Sequence, residues 1–66
     1  MHDATYVAFV PAGKSAKLRS VLQSEDTGAI TWRERKVMSG SEFYFSGPPK
    51  LARAAHAYVC EWVVKH

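Results

Sequence analysis

The second half of this chain is punctuated in a way that leaves few folds open to it. A Ser39-Gly40-Ser41 turn joins two strand-like runs, residues 30–38 and 42–46, and a Pro48-Pro49 step then opens a helical stretch reaching to about Lys65. Glycine with flanking serines is turn chemistry. The proline pair disfavours helix before it and fixes φ for the first helical position. A hairpin followed by a helix is therefore the frame, and it carries both tryptophans, Arg33, Arg35 and the lone cysteine, Cys60.

Upstream, residues 5–10 (Thr-Tyr-Val-Ala-Phe-Val) are β-branched and aromatic and are stopped by Pro11, which predicts a strand. Val7 and Phe9 fall on one face, and Tyr6, Ala8 and Val10 on the other. Apolar residues on both faces suit a central strand, or one covered on both sides. Ala12-Gly13 begins a turn, and residues 14–24 then read as a short helix. Its Leu18, Val21 and Leu22 lie at i, i+3 and i+4, and Ser15 is its expected N-cap. Residues 25–28, Glu-Asp-Thr-Gly, form a polar turn.

The element order is strand, helix, strand, strand, helix. The expected architecture is an α+β two-layer sandwich, one small domain over residues 1–66, with a three-stranded sheet and both helices on one face. If Ser39-Gly40-Ser41 is a three-residue loop, Val37 opposes Phe43, Lys36 opposes Tyr44 and Arg35 opposes Phe45. That register is preferred because a two-residue loop sets Lys36 and Glu34 against the two phenylalanines. In the last helix, Leu51, Ala55, Tyr58, Val59 and Trp62 make the main apolar face. Arg53, Ala57, Cys60 and Val64 form a second, weaker stripe, so this helix is expected to want burial on two sides.

At 66 residues, with 47% hydrophobic side chains, the chain is too apolar for a disordered segment, yet small enough that its own core is marginal. One cysteine allows no internal disulfide, which leaves a compact monomer or self-association. A lone thiol and an N-terminus without a basic, apolar leader favour the cytosol, and no run is long enough to span a bilayer. The net charge of +3 is compatible with an anionic polymer as partner.

Catalytic and metal chemistries find little support in the sequence. Ala12-Gly13-Lys14-Ser15 sits where a phosphate loop would, between strand and helix, but the first glycine of that pattern falls at Ala8 and Pro11 supplies no amide hydrogen. His56 and Cys60 share a helical face four residues apart, which is two ligands and no more. Glu34 and Glu42 are expected to be ordinary surface partners of Arg and Lys. The chain is thus read as a non-enzyme with no cofactor, no metal, no small-molecule substrate and no membrane partner.

The leading candidate is a basic-aromatic hairpin. Arg33, Arg35 and Lys36 lie among Trp32, Tyr44 and Phe45, a mixture that binds nucleic acid by phosphate contact and base stacking. Lys14, Lys17 and Arg19 are expected to add phosphate contacts from the first helix. The alternative is a protein–protein or homodimerisation module using Arg53, Ala57, Cys60 and Val64. In element order, the hairpin and last helix resemble the small arm-binding domains at the N-termini of phage integrases. That resemblance implies a three-stranded sheet laid on DNA, and so favours DNA over RNA.

Overall fold

The computed structural model describes residues 2–25 and 28–65. Asp26 and Thr27, the middle of the expected polar turn, lie outside the described residues. The elements follow the order β1 (Ala4–Pro11), α1 (Ala12–Ser24), β2 (Thr31–Val37), β3 (Gly40–Gly47) and α2 (Pro49–Lys65). This is the expected α+β arrangement, with the helices layered on one face of a three-stranded antiparallel sheet ordered β1-β3-β2.

The order places β3 in the middle. β1 and β2, joined through α1, both run antiparallel to β3 and so parallel to each other. This makes β1 an edge strand, which corrects the expectation of a central or doubly covered one. Its alternation is nonetheless real: Ala8 and Val10 are buried under the helices, whereas Val7 and Phe9 stay 47% and 50% exposed on the open face.

The hairpin register also differs from the expected one. Val37 pairs with Gly40, leaving a two-residue connection, Met38-Ser39, so that Trp32 opposes Phe45, Arg33 opposes Tyr44 and Arg35 opposes Glu42. The shift swaps the faces of β2, because side chains alternate with period two. Trp32 now lies on the same side as Phe43 and Phe45, its ring 6.0 Å from that of Phe43. Glu34 lies there too, and a partner from α1 makes that placement tolerable. Packing Trp32 with the phenylalanines gains more than the charged residue costs.

The core is the layer between sheet and helices: Ala8, Val10, Phe43 and Phe45 from the strands, Leu18 and Leu22 from α1, Ile30 just before β2, and Ala52, Val59 and Trp62 from α2. In α2 the buried line runs Ala52, Val59, Trp62, with Ala55, His56 and Val63 half-buried beside it. Leu51 and Tyr58, expected on the main face, are largely exposed. The stripe Arg53, Ala57, Cys60, Val64 is exposed throughout, so within this chain α2 is buried on one side only.

α1 begins at Ala12, directly after the strand, with Pro11 as the residue before its first turn and no side-chain cap. Ser15, expected as that cap, is instead buried inside the helix and donates to the Ala12 carbonyl at 3.2 Å. The entrance is held by the Ala12 amide, which donates to the Ser39 carbonyl at 3.1 Å. The start of α1 is thereby tied to the tip of the hairpin. At its N-terminal end α1 also reaches α2, where Lys14 Nζ donates to the Val63 carbonyl at 2.6 Å. Farther along, the helices leave an apolar cleft of about 320 Å³ lined by Val21, Leu22, Ile30, Ala55 and Tyr58.

Gly40 is needed for close approach rather than for turn geometry. A Cβ there would drive into the Val10 carbonyl oxygen and come within 3.0 Å of the Ala12 amide nitrogen. Gly13, by contrast, sits in α1 with open space of at least 4 Å around the point a methyl group would occupy. Urea denaturation should therefore show Gly40→Ala destabilised by about 2 kcal/mol from overpacking. Gly13→Ala should be neutral or up to about 1 kcal/mol more stable from helix propensity. Equal effects of the two substitutions would contradict this reading of the β1–β3 contact.

Candidate nucleic-acid interface

Because β2 turns its odd-numbered residues away from the helices, Arg33 and Arg35 project from the open face of the sheet. Across that face four rows run in register, the last of them Pro11, Gly40 and Val37 at the hairpin end. Thr5, Ser46 and Thr31 form one; Val7, Tyr44 and Arg33 the next; Phe9, Glu42 and Arg35 the third. The first row is polar, and Thr5 Oγ1 lies 2.9 Å from Ser46 Oγ in a hydroxyl hydrogen bond. In the second row Tyr44 stands at the middle of the sheet with an aliphatic side chain on one flank and a guanidinium on the other. The third row carries an exposed phenyl ring and an ion pair, Arg35 Nη1 to Glu42 Oε1 at 3.7 Å. Tyr44 Oη donates to the same Glu42 oxygen at 2.9 Å, which orients the phenol along the sheet.

This face has no helix over it. A shallow depression crosses it, bounded by Thr5, Thr31, Arg33, Arg35, Tyr44 and Ser46. Its two cations are solvent-facing, and the Arg35–Glu42 pair is exposed enough that it holds Arg35 only weakly.

The structure divides the other expected cations from this face. Lys36 pairs with Ser41 and so belongs to the helix side of the sheet, at the hairpin end. Lys14, Lys17 and Arg19 are on α1, with the whole sheet between them and Tyr44. Lys14 is occupied by the Val63 carbonyl. Phe45 is a core side chain, only 1% exposed, and Trp32 packs half-buried against the core from the same side, so neither offers a ring to a ligand on the open face. The residues that sequence reading missed are Val7 and Phe9. Their signal was present in the alternation before Pro11, but assigning them to a central strand hid it.

Arg19 has a different task. Its Nε and Nη2 donate to Glu34 Oε1 and Oε2 at 2.5 and 2.8 Å, and Ser41 Oγ donates to Oε2 at 2.6 Å. Glu34 is therefore no ordinary surface partner. Its side chain is 11% exposed and sits beneath α1, fully satisfied by a guanidinium and a hydroxyl. The Arg19 hydrogen bonds hold its carboxyl down to about 2 from 4.5, outweighing the opposing effect of burial, with help from Ser41 and from the charges of Arg19 and Lys36.

On α2, His56 reaches β1. Its Nε2 lies 3.0 Å from the Val7 carbonyl oxygen, and its ring stands 5.7 Å from Tyr6. Cys60 Sγ is 3.7 Å from the same Nε2. This pair is thus engaged with the strand edge. Among the described residues no group of three or more His, Cys, Asp and Glu side chains gathers as metal ligands would. Nor is any helix among them long and apolar enough to cross a membrane.

No protein-family model, curated protein or solved structure matches the chain.

A depressed carboxyl pKa stabilises the fold above its unfolded value, and that contribution is lost as pH falls through 4.5 toward 2. Thermal melts across this window should show stability dropping on acidification. Glu34→Gln should cost roughly 2 kcal/mol at neutral pH and flatten the acid limb. A variant that keeps the full acid sensitivity would place the titrating group elsewhere.

Proposed function

We propose that the open face of the sheet binds single-stranded nucleic acid, without marked sequence preference and with no chemical step. The observation that carries this reading is Tyr44, centred on a helix-free sheet face with Arg33 beside it and Phe9 and Arg35 in the adjacent row. Tyr44 is half-buried between its flanking side chains, and the part of its ring left open offers a base a stacking surface; base–aromatic stacking tolerates any sequence because every base has a π-face. Guanidinium groups beside the ring supply the phosphate contacts that such stacking requires.

The charge layout also suggests how a strand would lie. Arg33 and Arg35 are both on β2, along one edge, whereas Glu42 is on the central strand. A phosphate backbone following β2 meets Arg33 first, and at Arg35 it competes with the Glu42 carboxylate, 3.7 Å away, for a weakly held guanidinium. Its bases then turn inward over Tyr44 and toward Phe9. A duplex fits less well, because its bases are already stacked and leave the rings of a flat face without partners. The net charge of +3 adds a general attraction for polyanions.

Fluorescence anisotropy with a labelled mixed-sequence single strand, repeated over a salt series, tests this. The unmodified protein should bind with an affinity that falls as salt rises. Arg33→Ala/Arg35→Ala should reduce the slope of log K against log salt by about 1.4, two contacts at about 0.7 each. Tyr44→Ala should weaken binding by about 10-fold or more with little change of slope. Lys17→Ala should leave both unchanged. An unaltered slope in the double variant, or an equal loss from Lys17→Ala, contradicts the assignment of this face.

A further inference from the structure

We infer that two copies of this chain join through the free edge of β1, antiparallel about Val7, into a six-stranded sheet with their α2 helices side by side. The two edges of the sheet are unlike. β2 carries Arg33, Glu34, Arg35 and Lys36 in a seven-residue strand, the charged dressing by which a sheet edge resists further pairing. β1, from Ala4 to Pro11, carries no charged residue at all. Among the described residues it pairs only with β3. An uncharged edge strand with exposed Val7 and Phe9 is an open template for another strand.

The occupant is argued from self-complementarity. In an antiparallel ladder, residues of one parity bond to the neighbour strand and those of the other parity point outward. The contact of His56 with the Val7 carbonyl marks Thr5, Val7 and Phe9 as the outward set. A two-fold axis at Val7 pairs Val7 with its own copy and Thr5 with Phe9 of the other copy, with no like charges opposed. Pro11, which has no amide hydrogen, ends the ladder just beyond Phe9. A carbonyl has two lone pairs, so Val7 can accept from a facing amide while keeping its contact with His56.

α2 meets the same requirement independently. At 100° per residue, Cys60, Arg53, Val64 and Ala57 follow His56 around the helix, on the side away from α1. Since His56 and Cys60 sit at the β1 edge, this exposed stripe overhangs that edge. Pairing β1 with its copy therefore brings the two stripes together, running antiparallel. Near the axis the facing residues are Ala57 and Cys60, small enough for two helices to approach closely, and Val64, 84% exposed in one chain, gains cover from the other. The half-exposed Val7 and Phe9 and the second stripe of α2 are thus accounted for by one operation. The joined sheet also sets two copies of the Tyr44–Arg33 row on a single continuous face, although the pairing itself does not depend on what that face binds.

Sedimentation equilibrium of the full chain, without nucleic acid, tests the inference. The expected mass is twice 7.4 kDa. Val7→Lys, which opposes two ammonium groups at the axis, and Ala57→Glu, which opposes two carboxylates between the helices, should each return the mass of one chain. Both sites are exposed in the single chain, so far-ultraviolet circular dichroism should be unchanged in the variants. A single-chain mass for the unmodified protein at every concentration overturns the inference. So does a dimer that persists in both variants, because the contact must then lie elsewhere. Arg33→Ala/Arg35→Ala should remain dimeric, which separates this result from the fate of the nucleic-acid reading.

Discussion

The contact on which the layout of this molecule depends is the one between Arg19, Glu34 and Ser41. It joins the first helix to an edge strand and to the central strand at a mostly buried carboxylate. A carboxylate on the core face of a strand is costly unless its oxygens are satisfied. Here both are, so β2 can present Trp32 to Phe43 and Phe45 without leaving a bare charge beside them. Fixing the parity of β2 on the inner face fixes it on the outer one as well. Arg33 and Arg35 reach the open face of the sheet because Glu34 is held beneath α1.

The fold class was legible because its signals are local. Pro11, Pro48-Pro49 and the glycine–serine turn divide the chain into the right elements in the right order, and Leu18 and Leu22 mark the inner side of α1. Register was not legible to the same degree, because it depends on a contact between residues fifteen apart. Judged within the hairpin, Lys36 and Glu34 against the two phenylalanines look like poor pairs, and the three-residue loop that avoids them looks better. Arg19 reverses that judgement, and nothing in residues 30–47 announces it. A clue did exist in the parity of the large apolar residues, since only an odd offset places Trp32 on the side of Phe43 and Phe45. Gly40 was recognised as punctuation for a reason that proved secondary: the space it leaves admits the Val10 carbonyl, a tertiary demand.

The candidate site was legible by composition rather than by membership. Arg33, Arg35 and Tyr44 do share a surface, whereas Phe45 is core, Trp32 packs against the core and Lys36 lies on the helix side. Arg19 is committed to Glu34 and Lys14 to the end of α2, each serving the fold in a way that a tally of positive charge does not separate from a ligand contact. Val7 and Phe9 enter the site through the sheet order, because a strand apolar on both faces reads as central until β3 is known to take that place. The same strand edge lies next to the exposed stripe of α2. Features that look unrelated along the chain therefore meet on one side of the molecule.

The open face and its candidate site rest on the register of β2 against β3, and cross-strand nuclear Overhauser effects read it directly. The expected result is contacts of Arg33 with Tyr44 and of Arg35 with Glu42, together with ring-to-ring contacts between Trp32 and Phe43. Contacts of Lys36 with Tyr44 and of Arg35 with Phe45 would contradict it. They would send Arg33 and Arg35 to the helix side, take Glu34 out of reach of Arg19, and remove the open face as a place for a ligand.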